Sequence, residues 1–184
     1  MHKKMDNITS RILEVFINNP EKEFHVRQLS KSLKKSPTTI SKYLKNLEKE
    51  GFLKSEEKLN HLLFMANSEK ENFKRIKKDY NFKKMEDSGL IDFLIKTFNY
   101  PKAIILFGSY AQGENIINSD IDLFILSSIK KEVSLAKFEK ELKYPINLIV
   151  KSVQEFENMK EKNPELLNNI INGTILYGYL EAFK

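Results

Sequence analysis

Apolar positions recur with two different periods along this chain. Up to about Leu47 the spacing is helical. Ile8, Ile12, Leu13, Val15 and Phe16 predict a first amphipathic helix that stops at Asn19-Pro20, and Val26, Leu29 and Leu33, with Ser30 between them, predict a short second one. Ser36-Pro37 opens a third helix, with serine as N-cap and proline at the first position, where its missing N–H costs nothing. Ile40, Tyr43, Leu44 and Leu47 form its buried stripe, and Gly51 closes it. Phe52 to Ser55 and His61 to Ala66 predict a hairpin with Lys58-Leu59-Asn60 near its tip. Ser68 to Glu86 lacks Gly and Pro and alternates charge, as an exposed connecting helix does; Phe73, Ile76, Lys77 and Tyr80 give it a narrow stripe suited to packing between domains or between two subunits of a homodimer.

A turn at Asp87 to Leu90 leads into a helix over Ile91 to Phe98, and then the pattern changes. Ala103 to Phe107, Ile121 to Leu126 and Pro145 to Val150 are short continuous apolar runs that read as buried strands. Asn163-Pro164-Glu165 starts a last helix ended by Gly173, and Leu166, Leu167, Ile170, Ile171, Leu176 and Tyr177 are core candidates.

Chemistry concentrates between the first two strands, in the run Gly108-Ser109, ten residues, Asp120-Ile121-Asp122. Alternation puts Asp120 and Asp122 on one face and Ile121 on the other. Two adjacent carboxylates repel unless a cation lies between them, and an all-oxygen site of this kind suits Mg²⁺ (or Mn²⁺) completed by water and phosphate oxygens. Gly108 lets backbone approach a polyphosphate, and Ser109 offers a hydroxyl and an N–H at the start of a short helix. The text FGSYAQGE and SDIDLFIL resembles the nucleotidyltransferase superfamily that includes DNA polymerase beta, over about Ser88 to Gly178. The resemblance implies catalytic and metal-binding roles for Asp120 and Asp122, nucleotide-binding roles for Gly108 and Ser109, and a nucleoside triphosphate as substrate or ligand. It also implies a third carboxylate on the following strand, where this chain has Asn147. An amide adds no charge to gather a second ion and accepts no proton. Glu114, Glu139 and Glu141 are the nearby carboxylates.

The third helix shows Thr38, Thr39, Ser41, Lys42 and Lys45 opposite its buried stripe, and the arrangement suits a helix laid in the major groove. With Arg27, Ser36, Lys54 and Lys58 these residues are the candidate DNA contacts. KSPTTISKYLKNLEKEGFLK resembles winged-helix domains of prokaryotic transcription regulators, over about Asn7 to Asn67. Charge supports a polyanion partner such as double-stranded DNA: residues 1 to 66 hold 13 Lys and Arg against 8 Asp and Glu, whereas residues 87 to 184 hold 11 against 13. His2, His25 and His61 fall in different elements; the latter two read as surface or DNA-adjacent positions.

The predicted architecture is α+β, an N-terminal winged helix-turn-helix (1–67), a connecting helix (68–87) and a nucleotidyltransferase-like α/β domain with a mixed sheet (88–184). The order resembles archaeal-type fusion proteins. With no cysteine there is no disulfide framework, and no apolar run approaches 18 residues, so a cytoplasmic protein with no membrane span is expected. Three functions remain open at this level: transfer of a nucleoside monophosphate to an acceptor hydroxyl, as the resemblance implies; a transcription regulator whose degenerate second domain senses a nucleotide; and an antitoxin that binds a partner protein such as a toxin.

Overall fold

A computed structural model describes residues 7–181; His2 lies outside them. The chain divides into two compact units, Met1–Lys77 and Lys78–Lys184.

In the first unit α1 (Asn7–Asn18) is followed by β1 (Phe24–His25), α2 (Val26–Leu33), α3 (Pro37–Lys49), β2 (Leu53–Lys58) and β3 (His61–Ala66). The helices bury the stripes that their spacing implies: Ile12, Leu13, Phe16 and Ile17 on α1, Leu29 and Leu33 on α2, and Ile40, Leu44 and Leu47 on α3. Tyr43, expected in that last stripe, is only half-buried. Ser36 caps α3, its Oγ accepting from the Thr39 N–H at 3.2 Å. Gly51 adopts φ +80 just past the end of α3, a conformation open to glycine at little steric cost. The hairpin turns on two residues, Leu59 and Asn60, both with positive φ, so Lys58 ends the strand opposite His61 instead of forming the tip. The two-residue β1 completes an antiparallel sheet of order β1-β3-β2. It is too short to leave a periodic signal.

The helix α4 (Glu71–Asp87) differs from its expected character. It is not simply an exposed connector, because Phe73, Lys77, Asn81 and Met85 are buried at a strict spacing of four. Phe73 and Lys77 lie in the stripe that spacing gave and Asn81 and Met85 extend it, whereas Ile76 and Tyr80, counted in it from spacing, are only half-buried. Burial pushes the Lys77 ammonium pKa down to about 8, opposed by the charge of Glu21.

In the second unit follow α5 (Leu90–Thr97), β4 (Ala103–Phe107), α6 (Gly108–Gln112), β5 (Ile121–Leu126), α7 (Ala136–Leu142), β6 (Ile146–Lys151), α8 (Val153–Lys162), α9 (Pro164–Ile171) and β7 (Thr174–Gly178). The sheet is mixed, of order β6-β5-β4-β7, with β5 and β6 parallel and the other pairs antiparallel. Both faces are covered. Ile104, Leu106, Ile121, Leu123 and Ile125 pack with Met85 and residues of α5 and α7, while Ala103, Ile105, Phe107, Phe124 and Leu126 pack with α8 and α9. Burial on both faces is why β4 reads as an unbroken apolar run and β5 as one interrupted only by Asp122. The edge strand β7 carries the expected core residues Leu176 and Tyr177, which are half-buried. Among the described residues no helix is long and apolar enough to cross a membrane.

Candidate functional site

The strand register of the second unit assembles the site. Phe107, at the end of β4, lies opposite Asp122 of β5, and Asp122 lies opposite Asn147 of β6. Alternation turns these three to the face of Phe124 and Ile149, leaving Ile121, Ile146 and Leu148 to the other core. Asp122 is half-buried and fixed on two sides. Its Oδ1 accepts a hydrogen bond from the Asn147 Nδ2 at 3.0 Å. Its Oδ2 stands against Gly108, so close that a Cβ there would collide with it. Gly108 also has φ +72, a region costly for any residue with a side chain.

Gly108→Ala therefore faces two penalties at once, a left-handed backbone and a carboxylate in the way of its methyl. We expect a stability loss of about 1–2 kcal/mol from the backbone alone. We also expect loss of any Mg·ATP binding, measured by thermal denaturation and calorimetry; a protein with unchanged melting temperature and binding would contradict it.

Ser109 follows in α6, whose five residues supply first-turn N–H groups more than a large dipole. Asp120 sits just before β5 and is exposed. Glu139 is already used, its Oε1 accepting from the Ile146 N–H at 3.0 Å, while Glu114 and Glu141 are exposed. Among the described residues no three His, Cys, Asp or Glu side chains come together as a metal site. The donor set fits one hard divalent ion on Asp120 and Asp122, with phosphate and water oxygens for the rest of its shell. It does not fit two, because the group nearest Asp122 is an amide that turns its N–H₂ toward the carboxylate.

A family model described as polymerase beta, nucleotidyltransferase matches residues 89–181. The chain belongs to this nucleotidyltransferase family. A second model, bacterial regulatory protein of the arsR family, matches residues 10–55. The chain is thus a helix-turn-helix of ArsR type joined to a nucleotidyltransferase-fold domain. No curated protein matches it.

The other candidate residues lie in the ArsR-type unit. Thr38, Lys42 and Lys45 are exposed and follow one another at four and three residues along α3, hence on one face, with half-buried Ser41 beside them. Arg27 on α2 and Lys54 on β2 are exposed as well. Ser36 and Thr39 are engaged with each other, their hydroxyls 2.8 Å apart at the start of α3. Lys58 is different from the other lysines, because its ammonium lies 2.5 Å from Glu23 and 3.2 Å from Glu56. Those partners hold its pKa above the ordinary lysine value and already match its charge. His25 and His61, remote in sequence, meet edge to face with ring centroids 5.1 Å apart. With Arg27, Gln28 and Asn60 they line a cavity of about 450 Å³. Sequence spacing held no sign of this pairing, since it depends on β1 joining β3.

Proposed function

We propose that this protein is a DNA-binding regulator whose nucleotidyltransferase domain binds a magnesium–nucleoside triphosphate and turns it over slowly or not at all. Gly108 and Ser109 would receive the phosphates, and Asp120 and Asp122 the metal. The observation that carries the reading is the hydrogen bond from Asn147 to Asp122. It occupies the position where two-metal transfer chemistry calls for a third carboxylate with a neutral group that gathers no second ion and takes no proton from an acceptor. The magnesium ion, when bound, would neutralise phosphate charge. Asp122 is pre-oriented for it by Asn147 on one side and the bare Cα of Gly108 on the other. On the other unit, exposed Arg27, Thr38, Lys42, Lys45 and Lys54 support binding to duplex DNA through its phosphates.

Calorimetry with ATP and Mg²⁺ tests the nucleotide half. Asp120→Asn and Asp122→Asn should each weaken binding by about tenfold or more, since losing even an outer partner of a metal ligand costs that much. Both variants should stay folded, with the melting temperature of Asp120→Asn little changed. Binding of equal strength in the presence of a chelator would refute the reading.

A further inference from the structure

The two halves of the phosphate site, Gly108-Ser109 and Asp120 to Asp122, are separated by a segment with little regular structure. After the five-residue α6 its backbone bonds are few: Gly113 N–H to Tyr110 O at 3.4 Å, Glu114 N–H to Ser109 O at 2.9 Å, and Ser119 N–H to Ile116 O at 3.1 Å. Segments held this loosely take their shape from what grips them from outside.

The side chains of Asn81 and Tyr144 do so, the latter through a hydrogen bond with the Asn115 side chain. Asn81, on the α4 portion that belongs to the second unit, is 3% exposed. Its Nδ2 donates to Tyr110 O at 3.0 Å and to Asn115 Oδ1 at 2.9 Å. Both amide hydrogens of one group are thereby used on the segment between Ser109 and Asp120, at points five residues apart. Asn115 is itself 1% exposed and Tyr110 is fully buried. The Tyr110 ring packs edge to face on Tyr144, and its hydroxyl has no partner among the described residues. Met85, one turn further along α4, is buried in the apolar cluster that includes Tyr110. Against this apolar wall a polar residue is retained only where its bonds are made, and a buried amide with two acceptors fixes both at once. A leucine at position 81 would satisfy the core better but hold nothing.

We propose that Asn81 is a positioning residue for the nucleotide site: it ties Tyr110 and Asn115 together so that Ser109 and Asp120 are presented to the same phosphates. The proposal rests on the nucleotide-binding reading above. It adds a residue some 30 positions upstream of the motif, outside the family-model match that begins at residue 89.

The test compares wild type with Asn81→Leu, which keeps the volume and removes both donors, and with Asn115→Ala, which removes one acceptor from the other side. Amide hydrogen exchange is measured without nucleotide, and Mg·ATP binding by calorimetry. In both variants the amides of Gly113 and Glu114 should exchange at least about tenfold faster, the factor expected when a buried polar partner is removed, while the amides of β4 and β5 keep their protection. Mg·ATP binding should weaken by a similar factor, and the two substitutions together should cost less than the sum of their separate effects, because both break the Asn81–Asn115 bond. Unchanged exchange in the 109–120 segment in both variants overturns the proposal. So does faster exchange there with unaltered Mg·ATP binding, which would make Asn81 merely structural. A wild type that binds no Mg·ATP, with exchange in the segment still governed by Asn81, would instead sink the nucleotide reading, and with it the role assigned to Asn81 at that site. Should Asn81→Leu fail to fold, Asn115→Ala carries the same two readouts.

Discussion

Asn147→Asp should turn a weak or silent transferase into a measurable one. The substitution puts a carboxylate where an amide now donates to Asp122 Oδ1 from 3.0 Å, with almost no change in side-chain size. Without metal the change is unfavourable. A hydrogen bond to a charged group, worth about 1.5–3 kcal/mol, is replaced by repulsion between two carboxylates. The metal-free variant should therefore melt lower than wild type. Millimolar Mg²⁺ should recover the loss in the variant and do much less for the wild type, since only the variant gains a third charge to gather ions. With a base restored near the reacting oxygens, transfer of labelled nucleoside monophosphate should rise by about 10²-fold, at the lower end of what a positioned general base contributes. If the wild type already transfers efficiently and Asn147→Asp slows it, the neutral amide is no handicap. The base must then be sought at Glu114, Glu139 or Glu141.

Duplex DNA should bind this chain with an affinity that collapses as salt is raised. Among the described residues the exposed cations Arg27, Lys42, Lys45 and Lys54 have no carboxylate partner like the two that hold Lys58, so their charge is available to phosphates. Each phosphate neutralised contributes about −0.9 to the slope of log affinity against log salt, so four such contacts make binding weaker by about 10²-fold between 50 and 200 mM. Lys42→Ala and Lys45→Ala should each flatten the slope by about one, while Lys58→Ala, whose charge is already matched, should change it much less. Fluorescence anisotropy over a salt series measures all three. A slope that neither Lys42→Ala nor Lys45→Ala alters would mean that this face of α3 does not meet the backbone.

The part of the architecture carried by local rules was legible before any coordinates. Capping at Ser36-Pro37, the left-handed Gly51 and the two apolar runs around Gly108 to Asp122 depend on neighbours a few residues away, and β4 and β5 came out at the very residues the runs suggested. The helix-turn-helix followed from the same periodicities, and the mixed sheet from the resemblance that the Gly108 to Asp122 motif carries. Elements whose reason is tertiary were not legible. The two-residue β1 exists because β3 is there to pair with, and the strand β7 because the edge of β4 was open; α8 was missed although a local signal marks it, the capping box of Ser152 and Glu155 at its start. The stripe of α4 was read only in part because it continues through Asn81, and a polar residue in a buried row looks like solvent-facing surface until its partners are known.

At the site the division is similar. Alternation alone put Asp120 and Asp122 on one face, because side-chain direction in a strand has a period of two whatever surrounds it, and the resemblance to the nucleotidyltransferase superfamily singled out Asn147 on the following strand. What only the folded chain decides is the pairing: that β6 lies parallel to β5 with Asn147 level with Asp122, that the amide gives its hydrogen to that carboxylate, and that the carboxylate fills the space a side chain at Gly108 would need. Likewise only the fold brings Asn81 to Asn115, 34 residues apart, and His25 to His61, because contacts between distant segments depend on which strands and helices become neighbours, a choice made by the burial of the whole core and written in no local stretch of chain.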